Sequence, residues 1–186
     1  SNLRPKNKDG HDFLKVYYQY LPLTGILLVL FALVSPMRFR PGGSASVLSY
    51  ATQMSSNELL ETTNARRVRS GASELQSNTK LTKAAQAKAK DMVERNYWSH
   101  TTPEGTQPWV FINDANYLYK KAGENLAYGF ANPQEVVSGW MNSKSHRDNL
   151  LDPSYTEVGF GYADSENYVK EGKNTVIVAM FATPGS

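Results

Sequence analysis

One stretch divides this chain before any other feature counts. Leu21–Pro36, LPLTGILLVLFALVSP, runs for sixteen residues without a charged side chain. With Tyr17, Tyr18 and Tyr20 ahead of it and Met37 behind, the apolar segment reaches about twenty residues, enough for a helix to cross a hydrocarbon core of roughly 30 Å. Tyrosines at one end suit the headgroup belt. Arg4, Lys6, Lys8 and Lys15 precede the segment, and only Arg38 and Arg40 follow it closely. The positive-inside rule then makes residues 1–16 a short cytoplasmic tail and 17–37 a single-pass transmembrane helix, with the rest of the chain outside. The alternative is a signal segment, cleaved to leave a secreted protein, although no small-x-small cleavage site stands out. Pro22, Gly25 and the unbroken apolar run argue against a buried core helix.

Residues 38–55 carry Pro41, Gly42, Gly43 and several serines with no helical stripe, so they read as a flexible linker. Residues 56–184 are left for one globular domain, expected to be monomeric. Up to residue 49 there are six Lys and Arg against two Asp and Glu, whereas from residue 50 onward there are fourteen against fifteen. The basic excess belongs to the tail, and the domain has none with which to neutralise phosphates, which argues against nucleic acid as a partner. There is no cysteine, which excludes a disulfide framework and thiolate chemistry.

Ser55 to Glu58 is a capping-box pattern, predicting a helix to about Ser70 with Gly71 as its stop. Leu81, Ala85, Ala89 and Met92 recur at helical spacing and predict a second helix from Asn78 or Thr79 to about Asn96. A turn-rich loop over 101–108 leads to a short helix over Trp109–Asn116. Asn132-Pro133 caps a further helix that buries Val136, Val137, Trp140 and Met141. Then the pattern changes: Glu157–Ala163 alternates and Thr175–Phe181 is β-rich, which predicts an antiparallel pair. Helices first and strands later imply an α+β fold.

Beyond residue 50 the chain holds two histidines, His100 and His146, each in a turn-like context beside small polar residues, with Ala122-Gly123-Glu124-Asn125 between them. Two imidazoles and a carboxylate are the ligand types of an open zinc site, and equally a base, an orienter and an electrostatic partner. By spacing alone a buried polar network explains them as well. Trp98, Trp109 and Trp140 read as core.

The strings NYWSHTTPEGTQPW, AGENLAYG, VVSGWMNSKSHRDNLL and YTEVGFGYA, preceded by NARRVRSGASELQ, resemble the signature series of the bacterial branch of the CAP superfamily (cysteine-rich secretory, antigen 5 and pathogenesis-related, or SCP-like, proteins). The likeness spans about residues 57–181, with the blocks in the expected order. It implies a three-layer α-β-α sandwich with a central antiparallel sheet, and a cleft often described as a divalent-metal site. By motif position, His100 resembles the first cleft histidine, Glu124 the acidic residue and His146 the second histidine. Ser143 stands where the animal branch has a second glutamate, and the last strand, TVIVAMFA, lacks a tryptophan often seen in bacterial relatives. Asn125, Arg147 and Asn149 read as loop-fixing residues, Gly123, Gly159 and Gly161 as backbone necessities. Glu104, near His100, is a further cleft candidate.

The expected function is therefore that of a membrane-tethered extracytoplasmic module whose cleft, formed by His100, Glu104, Glu124, Asn125 and His146, binds a divalent metal, zinc first, or a small ligand such as a lipid or a cell-surface glycan. A metal-assisted, peptidase-like hydrolase and a purely structural or adhesive surface domain are the alternatives. The chain has no nucleophile elbow and no HExxH pattern, and the motifs place only Glu124 with the two histidines, so catalysis is not the leading expectation.

Overall fold

The computed structural model describes residues 55–185. The expected tail and transmembrane segment, and the linker up to residue 54, lie outside them. Among the described residues no helix is long and apolar enough to cross a membrane.

Helix α1 spans Ser56–Arg69 and starts as its sequence dictates. The Ser55 hydroxyl accepts from the Glu58 amide at 3.1 Å while the Glu58 carboxylate takes the Ser55 amide. Gly71, at φ +80°, ends the turn in the left-handed region. The two-residue strand β1 (Gln76–Ser77) precedes α2 (Thr79–Glu94), which is capped by the Asn78 side chain. Then come α3 (Trp109–Asp114), β2 (Tyr119–Tyr128), α4 (Pro133–Asn142), α5 (Lys144–Leu151), β3 (Glu157–Ser165), a 3-10 turn (Tyr168–Lys170) and β4 (Asn174–Pro184).

The sheet order is β1-β3-β4-β2. β3 and β4 pair antiparallel, as their alternation predicts, and β2 pairs antiparallel with the other side of β4. The expected antiparallel sheet needs one correction: β1 runs parallel to β3, at Gln76 opposite Glu157 and Ser77 opposite Val158. The sheet is therefore mixed, because the chain leaving α1 lies beside β3 for two residues before entering α2.

Strand β4 shows how the layers are built. Val176, Val178, Met180 and Ala182 pack on one face with Leu81, Ala85, Ala89 and Met92 of α2 and Ile112 of α3. Ile177, Ala179 and Phe181 pack on the other with Leu59 of α1, Val136, Val137 and Trp140 of α4 and Leu150 of α5. Period-two alternation in a strand buried on both sides makes two cores, one per face. Each large apolar side chain buried there contributes about 1.5–3 kcal/mol.

Helix α2 lies directly on β3 with no side chain between. A Cβ at Gly159 would sit 2.0 Å from the Thr82 amide nitrogen, and one at Gly161 2.2 Å from the Ala85 carbonyl carbon. Glycine is required there by contact, not by dihedral.

Candidate functional site

Strand β2 is the edge of the sheet, and the site is built around it. An open edge offers unpaired carbonyls, and here the neighbouring helices take them. Asn149 of α5 donates to the Glu124 carbonyl at 3.1 Å, and the Trp140 indole of α4 donates to the Leu126 carbonyl at 3.1 Å. With the edge sealed, residues from both faces of the sheet reach one cleft. Its volume is about 260 Å³, and Trp98, Ser99, His100, Thr101, Leu126, Ser145 and His146 line it.

His100 comes from the loop after α2, on one face. Its Nδ1 lies 2.6 Å from Oε1 of Glu124, whose side chain is only 1 % exposed whereas that of His100 is 55 % exposed. His146 arrives from the other face on α5, a helix where the sequence suggests a turn, and is buried. Glu124 Oε2 and His146 Nδ1 are both buried without a hydrogen-bond partner. Asn125, fully buried, donates to the His146 carbonyl at 2.9 Å, and its own oxygen accepts from Asn149 at 3.1 Å. It fixes α5 against the strand. Gly123 leaves room for Tyr155, whose Oη would lie 2.6 Å from an added Cβ.

The electrostatics follow from burial. Loss of solvation pushes the Glu124 carboxyl above the usual carboxylate range, opposed by its hydrogen bond to His100 and by the charges of Lys88 and His100. Burial also holds His146 below the ordinary imidazole range, and the neighbouring His100 adds to that.

These blocks, in this order, are those of a known family: the model of the cysteine-rich secretory protein family, CAP, matches residues 60–181. The chain belongs to the CAP family. It is 43 % identical over 108 residues to the uncharacterized protein YkwD of Bacillus subtilis, covering 58 % of this chain and 42 % of that one. It is 31 % identical over 119 residues to the uncharacterized membrane protein YlbC of the same organism, covering 62 % and 34 %. A crystal structure of an extracellular SCP-domain protein of Bacillus anthracis matches with a TM-score of 0.58 and 26 % identity, covering 68 % of this chain and 39 % of that one. The match thus spans less than half the length of each of these relatives.

Within this CAP domain the sequence-predicted residues do not all converge. His100, His146 and Glu124 do come to the cleft region, whereas Glu104 is largely exposed and ion-paired with Arg95. Among the described residues no three His, Asp or Glu side chains are arranged to hold a metal by themselves. The donor chemistry fits a more open arrangement. A carboxylate behind one imidazole fixes its tautomer and leaves the ring's far nitrogen for an ion, as in carboxylate–histidine–metal relays. The orphaned imidazole nitrogen and carboxylate oxygen are acceptors that a cation could satisfy.

Sequence reasoning missed Lys88. It is fully buried on α2, and its ammonium donates to Tyr97 Oη at 3.0 Å, to the Ser99 carbonyl at 3.0 Å and to the His100 carbonyl at 2.8 Å. Burial lowers its pKa, against the pull of Glu124 and Asp91. The signal was available: Lys88 lies three residues after Ala85 and four before Met92, on the apolar stripe itself.

Proposed function

We propose that this CAP domain is an extracytoplasmic binding module whose cleft takes a divalent ion, zinc first, between His100 and His146, with Glu124 behind. One observation carries the reading: the short His100–Glu124 hydrogen bond, which presents an exposed imidazole backed by a buried carboxylate beside a second buried imidazole. When bound, such an ion would supply a Lewis-acidic centre for a polar ligand. His100 and His146 would hold it, and Glu124 would orient His100 or lend Oε2. Ser99, Thr101 and Ser145 add hydroxyls, and Trp98 adds an indole, to a cleft of about 260 Å³. That polar lining and small size favour a sugar-sized polar ligand over an acyl chain. Among the described residues Glu124 is the one carboxylate beside the two imidazoles, with Glu104 turned out to Arg95, which favours binding over turnover.

The location belongs to the same proposal. The name of YlbC describes a membrane protein and the Bacillus anthracis relative is extracellular. Both support a domain carried outside the membrane by the apolar segment at residues 17–37.

Melting curves with and without zinc test the site. An ion that binds only the folded state adds about 2.7 kcal/mol at a hundredfold excess over its Kd. His100→Ala and His146→Ala should each abolish the shift. A shift unchanged in both variants would remove the cleft as the site, and no shift in the wild type would leave the structural reading in its place.

A further inference from the structure

Lys88 sits where a cation is expensive. Burying a charge costs several kcal/mol, and an apolar side chain of similar shape is often as stable or more so. Core packing alone therefore does not call for lysine between Ala85 and Met92. What the ammonium does is specific. Its three protons meet three oxygens, those of Tyr97 Oη, the Ser99 carbonyl and the His100 carbonyl. The rings of Tyr97 and Phe111 flank it, with centroids 4.8 and 5.6 Å away. Tyr97 is held in turn by Asp91, to which its hydroxyl donates at 2.6 Å.

The two carbonyls are those of the segment that carries the first cleft imidazole. That segment has no helical or strand ladder of its own, and the His100 side chain is more than half exposed, so packing does little to set its direction. Tying the main chain of Ser99 and His100 to a rigid helix sets it. We propose that Lys88 is a positioning residue of the cleft: its buried ammonium fixes the Ser99–His100 main chain so that His100 Nδ1 meets Glu124 and the ring's other nitrogen faces the cleft. The inference rests on the two-imidazole reading of the site, but the geometry it explains exists without any ion.

The test uses the wild type and Lys88→Met in nitrogen-resolved NMR and zinc titration. In the metal-free wild type the Lys88 ammonium should exchange slowly and show coupling across hydrogen bonds to the carbonyl carbons of Ser99 and His100. A freely exchanging ammonium overturns the proposal, whether or not the variant folds. Lys88→Met should still fold yet lose the His100 Nδ1–H signal characteristic of the bond to Glu124, with zinc affinity falling tenfold or more. A folded variant that keeps both the His100 signal and the affinity also overturns it. If the wild type itself ignores zinc, the ion reading fails, while the His100 signal still decides the role of Lys88.

Discussion

Two fully buried cations lie in this domain, on helices packed against opposite faces of the sheet, and they do different work. Arg67 of α1 donates to the carbonyls of Ser73, Leu150, Asp152 and Tyr155 at 2.8–3.0 Å. Lys88 of α2 serves two carbonyls and a phenol beneath the cleft. The planar guanidinium has enough donors, in a fixed fork, to gather loops more than eighty residues away in sequence. The compact ammonium fits one tight cage. Arg67 closes the fold and Lys88 aims a side chain, so the first should be read in stability and the second in the site.

The largest effect should come from Arg67. Truncating Arg67→Ala strands several carbonyls that α1 now satisfies, and the expected loss is about 3–5 kcal/mol in urea unfolding. Zinc affinity of the folded fraction should stay at the wild-type value. A stable variant with weakened zinc binding would break the distinction between the two cations.

The next effect concerns pH just below ~6.5 and should arise on the cleft side. His146 has a folded pKa below its unfolded value of about 6.5, so the folded state resists protonation there. Its contribution is fully present above pH ~6.5 and is lost as pH falls through the folded value, with a slope approaching 1.4 kcal/mol per pH unit at most, roughly. Glu124 works in the opposite sense, since its raised folded pKa costs stability as pH climbs through that value. Melting curves in metal-free buffer should show the fall below pH ~6.5 flattened in His146→Gln. A fall that persists there would place its origin elsewhere in the domain.

The smallest effect separates local from tertiary contributions in α1. Removing its cap with Ser55→Ala should cost about 1 kcal/mol, well short of the Arg67 loss, by the same urea unfolding. Equal losses would mean that α1 contributes mainly as a helix and that its arginine is no clasp.

Much of this fold was legible because the signals are local. A capping box, a glycine stop and an Asn-Pro start mark α1 and α4 within a few residues of chain, and the 3.6-residue stripe marks α2. β2 was not legible as a strand. Glu124–Tyr128 is buried throughout, so it shows no polar–apolar alternation, and Gly123 interrupts what precedes it. The eight residues of α5 are too few to declare a period, which is why His146 looks like a turn residue in sequence. Lys88 was visible as a charge on an apolar stripe, but only its three acceptors say why it is there.

By itself, then, the chain determined most of its helices and the β3–β4 antiparallel pair, since each follows from residue type and short-range spacing, while the two imidazoles and their carboxylate were picked out by the resemblance of its sequence blocks to the family's. The tertiary structure alone decided that β2 forms the free edge of a mixed sheet, and that two helices seal its carbonyls. It alone decided that imidazoles from opposite faces meet around that edge, and that Glu104 turns outward to Arg95 while Lys88 turns inward. These outcomes depend on which groups compete for the same buried donors and acceptors. That competition exists only once residues distant in sequence are packed together.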